Sequence, residues 1–382
     1  MVLSTQIPAS EGIGRHVVDL ARRLRDRGHQ LTLMTRGDCR GTREITCEGF
    51  RVIRAAFWPL YPLHVQAHRL ALERTLEHLD FVPDLVHLHS PLVPPLKKKW
   101  PVVATFHSPM LTTTASLEQV GIRAALIKLM GKTTSYWIEK KLLAVADAVI
   151  AVSSGVAQEL RHFYHFNGAK LFTILNCVDS SLFKPGPENN KARRLLFVGR
   201  LDYGKGLFDL VNAAPAIIKA HPDVKLVVVG GGPLLEKLQT MVQELRLADS
   251  FLFQGAVYEQ NEIVRHYQEA YAVLLPSHYE SFSLVLREAM ACGKPVVAAK
   301  AAFVRGVLQD GVNALLVQPG SPGELAAAAI RLLDDAPLAA RLGRAARRTV
   351  KDSMDSAAHT RQVLETYRFA LEQFARRTAW QP

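Results

Sequence analysis

Apolar residues recur along this chain in two alternating rhythms. Over "RHVVDLARRLRDRG" (Arg15–Gly28), Val17, Leu20, Ala21 and Leu24 fall at i, i+3, i+4 and i+7. That spacing is one face of a helix, and Gly28 supplies its stop. "QLTLMT" follows as a short apolar run of strand length. "DLVHLHS", "PVVATFHS" and "DAVIAVS" read as further strands, "SGVAQELRHFY" as a helix and "LFTILN" as a strand. The stretch "CVDSSLFKPGPENNKARR" (Cys177–Arg194) mixes turn-forming Pro and Gly with charges and predicts a linker. Beyond it the design repeats. "RLLFVGR", "KLVVVGGG", "SFLFQG", "AYAVLLPS", "KPVVAA" and "ALLVQP" are strands; "LFDLVNAAPAIIKA" and "PLLEKLQTMVQEL" are helices, the latter with Pro233 at its first position. The chain ends in a long helix, "AAHTRQVLETYRFALEQFARRTA".

Short apolar strands separated by helices imply parallel sheets covered on both faces. Two such halves predict an α/β protein of two Rossmann-like, doubly wound domains, 1–180 and 186–355, with a final helix over 356–382. Ligands of open parallel sheets sit beyond the carboxyl ends of the strands. The expected site is therefore the cleft between the two domains' facing strand ends.

Composition narrows the class. The chain has 382 residues, 48% hydrophobic and 21% charged, the profile of a globular protein. No apolar run reaches 18 residues; the best candidate, Leu142–Val152, is too short and carries Asp147. "MVLSTQIPASEG" lacks the charged region and apolar core of a signal peptide. Cys39, Cys47, Cys177 and Cys292 form no C-x-x-C pair, which predicts a reduced, cytoplasmic setting. The net charge is +12 and uneven. Through Lys184 there are 23 Lys/Arg against 15 Asp/Glu, or +8; the remainder has 24 against 20, or +4. A basic first half suggests an anionic partner, although solvated bases give the same composition.

The strand ends carry the candidate chemistry. In "LLFVGRLDYGKGL", Gly199 and Arg200 sit where a strand stops and Lys205 follows in a Gly-flanked loop. Glycine lets the backbone approach a ligand, and the two cations suit a diphosphate. "VVVGGGPLLEKL" has neither G-x-G-x-x-G nor a P-loop pattern, and a tight turn explains it almost as well. "HYESFSLVLREAMACGKPVVA" (His278–Ala298) sets Glu280 and Glu288 eight residues apart, with Arg287 beside the second. A helix beginning near Ser283 leaves the amides of Ser283, Leu284 and Val285 as an anion site. The two carboxylates then suit sugar hydroxyls. Phe282 belongs to the apolar stripe of that helix. His107 ends a strand. His87 and His89 share a face of one strand, and core packing is favoured over a metal pair. There is no Asp-x-Asp to clamp a divalent cation.

With these pieces placed, the chain resembles the retaining GT-B glycosyltransferases of the large family 4, the E-x7-E type. The likeness covers nearly the whole chain: "EGIGRHVVDLARRLRDRGHQLTLMT", "DLVHLHSP", "ATFHSP", "AVSSGVAQEL", "ILNCVDSSLFKP", "VGRLDYGKG", "VVVGGGP" and "PSHYESFSLVLREAMACGKPVVA". The resemblance implies Glu280 on donor-sugar hydroxyls, Glu288 on the nucleotide ribose, and Arg200 and Lys205 on the donor diphosphate. It implies His107 near the donor hexose, Gly12 and Gly14 in a loop approaching the phosphate, and a final helix that crosses back onto the first domain. Glu11 stands where the family has a glycine, only "MVLS" precedes that loop as a first strand, and Ser283 replaces a frequent glycine. Residues Ala302–Gly306 depart from the family pattern and receive no role.

The expected activity is a retaining, metal-independent transfer of a hexose from a UDP- or GDP-sugar to a hydroxyl on a glycan or lipid-linked acceptor. No cofactor, metal or nucleic acid partner is expected. A sugar-nucleotide epimerase and a non-catalytic sugar-nucleotide-binding protein are the alternatives. The bases Arg22, Arg23, Arg25 and Arg27, the run Lys97–Lys99 with Trp100, and Leu126, Lys128, Leu129, Met130 and Lys132 suggest peripheral binding to an anionic membrane.

Overall fold

The computed structural model describes residues 1–3, 12–58, 64–91, 93–111, 134–187, 193–280, 283–301, 304, 306–353 and 356–379. The chain divides into two compact units, one running to Asn176 and taking up the C-terminal segment from Ala357, the other spanning Cys177–Ser356.

The first unit contains β1 (Val2–Leu3), α1 (Gly12–Arg25), β2 (Thr32–Arg36), β3 (Arg43–Cys47), β4 (Phe50–Ala55), α2 (His64–Glu77), β5 (Val86–Ser90), β6 (Val102–Phe106), α3 (Tyr136–Val145), β7 (Ala148–Ala151), α4 (Ser154–Phe163) and β8 (Leu171–Thr173). Its sheet runs β3-β4-β2-β1-β5-β6-β7-β8. All pairings are parallel except β3–β4, an antiparallel hairpin that closes the edge. The helical stripe of α1 is buried at Val17, Leu20, Ala21 and Leu24. Ser153 caps α4 by accepting a hydrogen bond from the Val156 amide.

The second unit contains β9 (Arg194–Val198), α5 (Leu207–Ala220), β10 (Lys225–Val229), α6 (Leu235–Glu244), β11 (Phe251–Gly255), α7 (Gln260–Glu269), β12 (Ala272–Leu275), α8 (Leu284–Ala291), β13 (Val296–Ala299), β14 (Leu315–Val317), α9 (Pro322–Asp334) and α10 (Ala336–Ser353). Its six strands are all parallel, in the order β11-β10-β9-β12-β13-β14. This is the doubly wound order, whose direction reverses between its first and fourth strands, here β9 and β12. Pro233 does not open α6, which starts two residues later; Leu234 intervenes.

The last helix, α11 (Ser356–Ala379), belongs to the first unit. Arg377 donates to the buried Asp147 at 2.6 Å, Tyr367 meets His87 at 2.7 Å, and Arg23 donates to Thr360 at 3.1 Å. Among the described residues no helix is long and apolar enough to cross a membrane. Trp100 is buried at 7% exposure, packed inside the first unit, so the expectation of an interfacial tryptophan is corrected. Its basic neighbours are engaged as well: Lys97 lies 3.7 Å from Glu73, and Lys99 pairs with Glu77. Leu126, Lys128, Leu129, Met130 and Lys132 fall outside the described residues, as do Glu11 and Phe282.

Candidate active site

The chemistry of the second unit gathers at the reversal point of its sheet. β9 is followed by Gly199, whose φ of +149° lies in the region that favours glycine, and the chain then turns through Arg200 and Asp202 to Lys205. β12 ends beside it and leads into the loop carrying Glu280. The two loops are fastened together. The His278 amide donates to Gly204 O at 3.0 Å, and the His278 ring sits 2.6 Å from Asp209 on the first turn of α5. Gly206 has φ +66°, and a Cβ there would lie 2.0 Å from Pro276 O. The tight fit of the two loops therefore requires glycine.

On this frame Lys205 Nζ donates to Glu280 Oε1. The pair is largely shielded, with side-chain exposures of 21% and 12%. The other oxygen, Oε2, is buried with no hydrogen-bond partner among the described residues. Arg200 is 64% exposed, with its Nε 3.8 Å from Asp202. Arg287 adds a cation that sequence reasoning left without a role. It is fully buried, donates to Ser283 O at 2.9 Å, and has its pKa pushed down to about 9 by burial, against the favourable charge of Glu280.

Ser283 is the N-cap of α8, and its hydroxyl accepts from the Leu286 amide at 3.2 Å. Helical geometry leaves the amides of Ser283, Leu284 and Val285 without an intrahelical partner, at the positive end of the helix dipole. Glu288, five residues beyond that cap, is 6% exposed, and its Oε2 accepts from the Tyr267 hydroxyl at 2.8 Å. The glycines after β10 have a different task. A Cβ at Gly230 would lie 1.8 Å from Gly199 O, and one at Gly232 would lie 2.5 Å from Leu201 O, so they seat one turn against the next.

The first unit gathers imidazoles at its own reversal point, between β1 and β5. His107 follows β6, is 5% exposed, and places Nε2 3.1 Å from His89 Nδ1. His16 from α1 approaches His107 and His359 edge-on, with centroids 5.2 and 5.5 Å apart. His87 bonds Thr105 and Tyr367, both at 2.7 Å. Burial holds all five rings neutral: His107 and His359 are lowered to about 3, and His16, His87 and His89 well below the ordinary value. His89 Nε2 has no hydrogen-bond partner among the described residues. Gly12 and Gly14 stand in the first turn of α1 rather than in a loop, which corrects that expectation. Nearby, Glu139 accepts from Tyr164, the Met110 amide and Ser90, and burial lifts its pKa to about 7. His16, His359, Glu139 and Tyr267 escaped sequence reasoning. For His16 the signal was a polar residue beside the apolar stripe of a helix.

The family model described as "Glycosyl transferases group 1" matches residues 179–349, and "Glycosyltransferase Family 4" matches 10–182. The D-inositol 3-phosphate glycosyltransferase of Kineococcus radiotolerans is 30% identical over 94% of this chain and 91% of its own length. The glycogen synthase of Mycobacterium tuberculosis is 28% identical over 90% and 87%. Among solved structures, sucrose-phosphate synthase from Thermosynechococcus elongatus superposes with a TM-score of 0.81 at 24% identity, covering 96% of this chain and 98% of that one. Anabaena Alr3699/HepE in complex with UDP-glucose does so at 0.73 and 20% identity, over 96% and 98%. The architecture of each unit agrees with the GT-B fold of these structures.

Proposed function

We infer the reaction from one premise: the chain belongs to glycosyltransferase family 4, the group 1 glycosyl transferases, and is a hexosyltransferase that uses a nucleotide-sugar donor. We propose that the transfer retains the anomeric configuration and needs no metal ion, with a UDP- or GDP-hexose as donor. The observation that carries this reading is the Lys205–Glu280 pair, held on two fastened loops at the reversal point of the sheet with Arg200 alongside. A departing diphosphate draws on Lys205, Arg200 and the first-turn amides of α8, which supply the positive charge a divalent cation would otherwise bring. Glu280 accepts hydrogen bonds from the donor sugar and Glu288 from the ribose. His107, a neutral imidazole, is suited to hydrogen-bond the hexose.

The acceptor oxygen attacks the anomeric carbon on the face from which the diphosphate leaves. The bond from that carbon to the diphosphate oxygen breaks as the new glycosidic bond forms, and the acceptor proton passes to the departing diphosphate. No side-chain nucleophile is required; orientation and charge do the catalysis. The acceptor is a hydroxyl on a glycan or a lipid-linked sugar, received by the basic first unit. Membrane association now rests on charge alone, because Trp100 is buried.

A donor panel tests the reading. Turnover of a UDP- or GDP-hexose is expected to persist in EDTA and to give a product with the donor's anomeric configuration by NMR. Loss in EDTA restored by Mg²⁺ or Mn²⁺, or an inverted product, overturns it. Salt-sensitive sedimentation with anionic vesicles favours a lipid-linked acceptor; recovery in the supernatant at low salt favours a soluble one.

A further inference from the structure

Tyr267 is contributed by α7, a different element from the carboxylate it meets. Its side chain is completely buried, with the ring packed edge-on against Phe183 at 6.0 Å. Its hydroxyl lies 2.8 Å from Glu288 Oε2 and 3.4 Å from Val285 O, both on α8. A phenol has a single proton to donate. The shorter contact and the charged acceptor assign that proton to Glu288, where the bond is the stronger kind. The phenol thus fixes the direction of the Glu288 side chain and spans the helical turn that carries it. Because Tyr267 is locked by packing, this direction is set before any ligand arrives.

We propose that Tyr267 is a positioning residue for donor recognition: it aims the Glu288 carboxylate at the ribose hydroxyls of the nucleotide, so part of the discrimination for ribose over deoxyribose passes through its hydroxyl. The proposal rests on the reading of Glu288 as the ribose acceptor. A buried carboxylate aimed at a hydroxyl penalises a ligand that lacks it, because the polar group is left unpaired.

The test compares UDP and GDP, whichever binds, with the corresponding 2′-deoxy and 3′-deoxy diphosphates, by calorimetry on wild type, Tyr267→Phe and Glu288→Gln. Wild type is expected to bind the ribonucleotide about tenfold more tightly than the better deoxy analogue. Tyr267→Phe should weaken ribonucleotide binding several-fold, leave deoxynucleotide binding nearly unchanged, and shrink the ratio towards unity, with kcat at saturating donor within about twofold of wild type. A merely structural role would weaken both ligands alike. The ratio is measured within one preparation, so any unfolded fraction cancels. If wild type discriminates and Tyr267→Phe keeps the full ratio, the positioning role is wrong. If wild type does not discriminate and Glu288→Gln binds normally, the ribose assignment of Glu288 fails first and takes this proposal with it.

Discussion

In the proposed reaction one ion pair, Lys205 with Glu280, serves two ligand groups. In the absence of donor each neutralises the other inside a shielded site. On the proposed reading a diphosphate competes for the lysine and the sugar hydroxyls take over the carboxylate, with buried Arg287 beside it contributing favourable charge. Charge on the diphosphate grows as it departs, so the lysine matters most in the transition state. Lys205→Ala is expected to lower kcat by about a hundredfold to a thousandfold, with a smaller change in donor affinity. A pure affinity loss with full turnover contradicts that role. The role proposed for Glu288 comes earlier, in binding. Glu288→Ala should weaken the free nucleoside diphosphate by roughly 1.5–3 kcal/mol, since ribose hydroxyls lose a charged acceptor. Unchanged affinity by calorimetry removes the assignment.

The loops after β9 and β12 depend on close backbone approach, and Gly206 is where that dependence is sharpest. Gly206→Ala combines a Cβ 2.0 Å from Pro276 O with a φ of +66°. It is expected to cost at least about 2 kcal/mol and to displace Lys205 from Glu280. A denaturation midpoint and turnover both at wild-type level would show that the loops can separate freely. The elements of the candidate site were legible because each is a short apolar strand leading into a loop that carries Gly, Arg, Lys or Glu, and the strand-to-helix rhythm placed α5, α8 and α11 within a few residues. The β3–β4 hairpin was not legible. Its two-residue turn is Glu48–Gly49, both at positive φ, and glutamate is not the residue a primed turn usually advertises. The outward positions of β3 are exposed and give only weak alternation. The histidine cluster was hidden for another reason. It is assembled from α1, β5, β6 and α11, and no local pattern connects His16, His89, His107 and His359.

Each unit is wound around its own reversal point, and in the first unit the buried polar cluster there is also what α11 docks against. His359 and Tyr367 of that helix meet His16 and His87, with Arg23 on Thr360 and Arg377 on Asp147 at its flanks. This ties the stability of the first unit to pH. His107 and His359 have folded pKa values of about 3 against an ordinary value of 6.5, and His16, His87 and His89 are lowered as well. Below pH 6.5 the unfolded chain therefore binds protons that the folded cluster refuses, and stability falls as pH falls. Glu139 works the other way: with its value raised to about 7, its protonation favours the folded state as pH drops from 7 towards 4.5. It is one carboxyl against five imidazoles, so the imidazoles decide the sign. The buried amino terminus acts in the same direction: burial lowers it from 8.0 to about 5, so between those values the unfolded chain holds a proton that the folded chain releases. Tryptophan fluorescence reports on the first unit, since Trp58, Trp100 and Trp137 lie there and no tryptophan occurs between residues 177 and 356. The fluorescence-detected Tm is expected to fall on the order of 5 °C between pH 7.5 and pH 5. His359→Gln, which removes one refused proton, should flatten that slope even if it lowers Tm at pH 7.5. A Tm that holds level or rises on acidification would mean that the five rings are not held neutral in the folded protein.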